Sequence, residues 1–152
     1  MGLVSGKWMC YDIDDIFKQE GLTVELKVGM RNEAVDTVTE SNTAIAYGSG
    51  SIAVYATPAM VGLMEKAALS GVDCLLPQGQ ATVGISLNAK HLAATPVGMD
   101  VRACAELTEV DGRRLVFKIE AFDSKEKIGE CIHERFIISI DSFLQRTAKK
   151  QS

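Results

Sequence analysis

Thr57 and Glu65 stand eight residues apart in YATPAMVGLMEKAA, and His91 follows in ISLNAKHLAATPVG, so a hydroxyl, a carboxylate and an imidazole sit inside otherwise apolar sequence. Near a helix start, those groups can serve acyl transfer: a base takes the hydroxyl proton, and backbone N–H groups hold the oxyanion. Burial on an apolar face changes the acid and base strength of such groups. Each also has a plain structural role open to it. Thr57 can cap a helix, contributing about 1 kcal/mol; Glu65 can emerge at a solvated edge; His91 can be a core histidine held by a carbonyl. No GxSxG elbow, Walker loop or GxGxxG fingerprint is present.

The elements that must position these groups follow from period and punctuation. Thr57-Pro58 is a helix start, because Pro fits a first turn whose N–H has no intrahelical partner. The helix is predicted to run to about Leu69 and stop at Gly71. Met60, Val61, Leu63, Met64, Ala67, Ala68 and Leu69 make it apolar nearly all round, so a helix wrapped by other structure is expected. Gly62 lowers helix propensity by about 1 kcal/mol relative to alanine, and close packing against a neighbour is expected there. The face of Glu65 carries no cation, and Lys66 points about 100° away from it. Glu65 therefore needs a partner from another element.

Val24, Leu26 and Val28 alternate ahead of Gly29, and with the stretch from Ala34 to Val38 they read as one broken N-terminal strand. Ser41 to Ser51 is small, polar and glycine-bearing, the composition of a loop. After the turn from Pro77 to Gly79, strict alternation puts Val83, Ile85, Leu87, Ala89 and His91 on one strand face, and Gly84, Ser86, Asn88 and Lys90 on the other. Strands from Met99, Leu115 and Ile128 would complete a four-strand antiparallel meander, with Asp111-Gly112 as a hairpin turn. Phe143 and Leu144 suggest a short C-terminal helix. The class is α+β, a sheet wrapped round a single helix. Residues 1–21 read as an N-terminal appendage, a native extension or an expression remnant, able to form one short amphipathic helix; residues 22–152 read as the domain.

The 152 residues are 47% hydrophobic, enough for one core. A net charge of -4, with no basic cluster before the C-terminal tail, argues against a nucleic-acid partner. Cys10, Cys74, Cys104 and Cys131 are scattered without metal-ligand spacing, so free thiols in a reducing compartment and no metal are expected. No secretory leader pattern or membrane-length apolar run is seen, and a cytoplasmic protein is the expectation.

The segments VYATPAMVGLMEKAA, TVGISLNAKHLAATPVG, ELTEVDGRRLVFKIEAFD and IGECIHERF closely resemble the fluoroacetyl-CoA thioesterase family of hotdog-fold proteins, over about residues 24–148. The resemblance implies a hotdog fold, in which a long helix is wrapped by an antiparallel sheet and two subunits pair their sheets. It implies Thr57, Glu65 and His91 as the catalytic group, with Gly84 and Arg135 contacting the acyl-CoA substrate, and no cofactor. Gly84 has no side chain to block a ligand; Arg135 can orient substrate or phosphate, or pair with a carboxylate. The chain departs from the family in its lid. Where the characterised enzyme has phenylalanines before its catalytic threonine, this one has YGSGSIAVY, with Tyr47 and Tyr55 the nearby aromatics, so fluoroacetyl specificity is not expected to carry over.

The expected activity is hydrolysis of a short acyl-CoA to free acid and CoA by a homodimer. Thr57 would attack or position water, Glu65 activate or orient it, and His91 act as acid/base or stabilise charge. The rival from another class is a non-catalytic hotdog module binding acyl-CoA or a small ligand. A hotdog hydratase or dehydratase would require an Asp/His helix signature that the chain lacks.

Overall fold

The computed structural model describes residues 24–151; the appendage expected at residues 1–21, and Cys10 with it, lies outside the described residues. Strands β1 (Arg31–Thr37), β2 (Gln80–His91), β3 (Asp100–Asp111), β4 (Arg114–Asp123) and β5 (Lys127–Ser139) form one antiparallel sheet, ordered β1-β3-β4-β5-β2. A one-turn helix α1 (Ala44–Tyr47) precedes the long helix α2 (Thr57–Ser70), and α3 (Ile140–Ala148) ends the fold. The meander expected from sequence has three strands, not four. β3, β4 and β5 run on through short turns, while β2 lies beside β5 at the sheet edge. The connection after His91 leaves the sheet, since Pro96 bridges Val54 and Gly98 N–H donates to the Val38 carbonyl. Asp111-Gly112 makes the expected hairpin, with Asp111 opposite Arg114 and Gly112 at φ 56°.

The N-terminal strand forms only in its second half. Gly29 turns at φ 94°, its N–H bonded to the Leu107 carbonyl, and residues 24–28 before it have no ladder partner, leaving Val28 exposed. Within the expected loop, Ala44–Tyr47 closes one helical turn, ended by left-handed Gly48 and started by the Thr43 hydroxyl on the Ala46 N–H.

Met60, Leu63, Met64 and Ala67 of α2 share one buried cluster with Leu107, Leu115, Phe117 and Ile119 of the sheet. The helix is not enclosed all round. Pro58, Gly62 and Lys66, one turn apart, form an exposed stripe, and a Cβ on Gly62 would meet nothing within 4 Å. The close packing expected at Gly62 is therefore absent among the described residues, because that turn of α2 points away from the sheet. No helix among the described residues is long and apolar enough to cross a membrane.

Candidate active site

Thr57 opens α2 as its first helical residue, and the cap position belongs to Ala56, whose side chain makes no capping bond. The hydroxyl is thus released from the capping role that the sequence offers it. It lies 2.8 Å from His91 Nδ1. His91 ends β2 opposite Gly129 of β5, and at Gly129 a Cβ would stand 2.5 Å from Met60 Sδ. Glycine there lets the first turn of α2 approach the sheet, which brings Thr57 to the imidazole. Burial lowers the His91 pKa below the usual histidine value, opposed in part by the backbone of Ala93. Its Nε2 is buried and, among the described residues, has no partner within hydrogen-bond geometry. A neutral imidazole that accepts at Nδ1 is the form that can draw a proton from the Thr57 hydroxyl.

Glu65 belongs to a second cluster. Eight residues along α2 place it roughly 12 Å from Thr57 at 1.5 Å per residue. Its Oε2 lies 3.4 Å from Arg135 Nη1 and 4.0 Å from His133 Nε2, both residues of β5. The partner that its helix face lacks comes from the sheet. Arg135 is 4% exposed and also donates to the Thr82 hydroxyl and carbonyl, so the ion pair with a carboxylate that the sequence allowed is formed. Burial pulls the Arg135 pKa below the usual arginine value, with Asp73 and Glu65 opposing.

Gly84 faces this cluster too, which corrects strict alternation. The β2–β5 register shifts between Gly84 and Ser86, so a bulge at Ile85 turns Gly84 to the side shared by Leu87, Ala89 and His91. A Cβ on Gly84 would stand 2.7 Å from Glu65 Oε2 and 3.1 Å from His133 Cε1. The carboxylate, as the mobile end of a flexible chain, is what must move. Gly84→Ala is therefore expected to lower turnover by about 10- to 100-fold while shifting Tm by only a few degrees, about what 1 kcal/mol produces. Steady-state kinetics beside a thermal melt checks this, and unchanged turnover would contradict it.

The chain by itself thus joins Thr57 to His91, and Glu65 to Gly84 and Arg135, without joining the pairs. Sequence reasoning did not single out His133 or Thr82. Both were findable: His133 is two residues from Arg135 on one strand face, and Thr82 is two before Gly84. Tyr55 is buried with a hydroxyl lacking a hydrogen-bond partner among the described residues, whereas Tyr47 is exposed.

A solved fluoroacetyl-CoA thioesterase structure superposes with a TM-score of 0.79 at 33% identity, covering 84% of this chain and 98% of that one. A thioesterase superfamily member from Thermus thermophilus gives a TM-score of 0.76 at 27% identity, over 84% of this chain and 96% of the other. The hot-dog-like protein of Thermanaerovibrio acidaminovorans, at 23% identity and a TM-score of 0.77, shares the fold over 93% of this chain and 98% of its own. The class is a hotdog-fold thioester hydrolase. The fluoroacetyl-CoA thioesterase of Streptantibioticus cattleyicolor is 39% identical over 97 residues, 64% of this chain and 70% of that protein. With the model of the fluoroacetyl-CoA-specific thioesterases matching residues 38–141, the chain belongs to that family.

Proposed function

We propose that this protein hydrolyses a short acyl-CoA to the free acid and CoA, at a site completed by a second copy of the chain. The observation that carries the reading is the Thr57 hydroxyl, free of any capping role and 2.8 Å from His91 Nδ1. Thr57 Oγ1 attacks the thioester carbonyl while His91 takes its proton, and the first-turn N–H groups of α2 face the oxyanion. Collapse breaks the C–S bond, and His91 returns the proton to the CoA sulfur. Glu65 then takes a proton from water as the water oxygen attacks the acyl-threonine carbonyl, and the ester C–O bond breaks to free acid as a proton returns to the Thr57 oxygen.

Completion by a second copy is supported by the edge position of β2 and by its exposed apolar side chains, Ile85 at 53% and Leu87 at 41%. Gly84 and His91 are seven residues apart, roughly 23 Å along one strand. Antiparallel pairing of β2 with its copy, with a two-fold axis at Asn88 and the bulge at Ile85 taking up one residue, would set Gly84 opposite His91 of the partner subunit. Each site would then hold Thr57 and His91 from one chain and Glu65, Gly84 and Arg135 from the other.

The fluoroacetyl group is not the assigned substrate. The lid around α1 presents Ile45, Tyr47 and Ile52 to solvent, with glycine and serine between them, which fits a broader acyl group. Free-thiol release across a panel of acyl-CoAs tests the reading. Turnover of short acyl-CoAs without strong preference for fluoroacetyl-CoA is expected; tight binding of every ester without thiol release would establish a binding module instead.

A further inference from the structure

Asp73, Thr82 and His133 take no part in the chemistry assigned so far, yet their hydrogen bonds converge on the buried Arg135. Thr82 is 6% exposed. Its hydroxyl donates to Asp73 Oδ1 and accepts from Arg135 Nε at 2.7 Å, while its carbonyl accepts from Arg135 Nη2 at 2.9 Å. A single residue therefore holds two edges of the guanidinium, with the Asp73 carboxylate behind it.

His133 holds the third edge. It is 0% exposed, and its Nδ1–H donates to the Ser86 carbonyl at 2.9 Å, beside the bulge of β2. That bond fixes the tautomer and leaves the Nε2 lone pair to accept from Arg135 Nη1 at 3.1 Å. The same Nη1 reaches Glu65 Oε2 at 3.4 Å. Exposure rises along these bonds: His133 and Arg135 are closed off from water, whereas the Glu65 side chain is 35% exposed. The buried part fixes the guanidinium, and the one accessible group it fixes is the carboxylate.

We infer that Thr82, backed by Asp73, and His133 are positioning residues: they lock Arg135 in one rotamer so that its Nη1 aims Glu65 at the reacting centre, and they touch no substrate. The inference rests on the proposed catalytic role of Glu65. The planar fork of an arginine suits this task, because fixing three of its five N–H donors sets the direction of the remaining one on Nη1. A carboxylate on a free helix face would sample several rotamers, and misplacement by about 1 Å is enough for a 100-fold loss of rate.

A double-mutant cycle separates positioning from plain structural support. Thr82→Val keeps the side-chain shape and removes the hydroxyl. It is expected to lower kcat by about 10- to 100-fold with KM little changed, and Thr82→Ser to restore turnover. In a Glu65→Gln background, the further loss from Thr82→Val should nearly vanish, because the group it acts through is gone. An equal loss in both backgrounds would overturn the inference. So would full turnover of Thr82→Val in an enzyme that Glu65→Gln inactivates, an outcome that leaves the role of Glu65 standing. Full turnover of Glu65→Gln itself would instead remove the reading beneath the inference. A thermal melt reports whether Thr82→Val folds; if it does not, His133→Gln carries the same cycle with the same deciding outcomes.

Discussion

His91→Ala is expected to lower kcat by about 100- to 10,000-fold, the usual range for loss of a general base, with a cooperative thermal melt retained. The imidazole is half-buried at a strand end, and its hydrogen bond is to Thr57. Its removal leaves the hydroxyl without a base and opens little of the core. The pH profile carries the same residue's signature. Burial lowers the His91 pKa, so the neutral, proton-accepting form persists below the ordinary histidine value of 6.5. Protonation consumes the Nδ1 lone pair, so kcat/KM falls as pH drops through that lowered pKa. The acid limb of the wild-type profile should therefore lie below pH 6.5. Residual activity of His91→Ala should lack that limb; a variant with wild-type turnover and profile would remove His91 from the mechanism.

Glu65→Gln is expected to lower turnover by a similar factor, about 100-fold or more, through a different step. The amide keeps the shape and can still accept from Arg135 Nη1 through its oxygen, but it cannot take a proton from water. Stability should fall by about 1–2 kcal/mol, less than the loss on breaking a fully buried pair. The side chain is 35% exposed, and Asp73 still faces the guanidinium through Thr82. If acyl-threonine forms and only its hydrolysis fails, mass spectrometry of Glu65→Gln with substrate should show an adduct on Thr57. Wild-type turnover would exclude the carboxylate from the chemistry.

The local signals in the sequence held where the physics is local. Thr57-Pro58 begins α2, Gly71 follows its last residue, and Asp111-Gly112 turns β3 into β4. Alternation along β5 sets Cys131, His133 and Arg135 on one face, a pattern visible in the residues themselves. Three features depended on contacts between distant segments. Ala56, with its extended backbone, takes the cap position in place of Thr57, whose hydroxyl instead meets the imidazole 34 positions on. Ile85 bulges because β2 shifts register against β5, and one inserted residue reverses the face of Gly84 relative to strict alternation. β2 sits at the sheet edge rather than in the meander because its partner is the last strand, 47 positions on from Ser86 to His133. Periodicity says which side chains share a face; it does not say which element that face meets. The helix face of Glu65 therefore displayed a need for a cation without revealing that Arg135 supplies it.

The central claim, that two chains share each site, is tested most directly by mixing subunits. Glu65→Gln and His91→Ala, each nearly inactive alone, are unfolded together and refolded at equal concentration. Half the resulting dimers should be mixed, and in each mixed dimer both altered residues fall in one site and leave the other intact. Recovery of about a quarter of wild-type activity is predicted from that symmetry. If activity stays at the level of the two parents while mixed dimers are present, each site lies within a single chain and the account is contradicted.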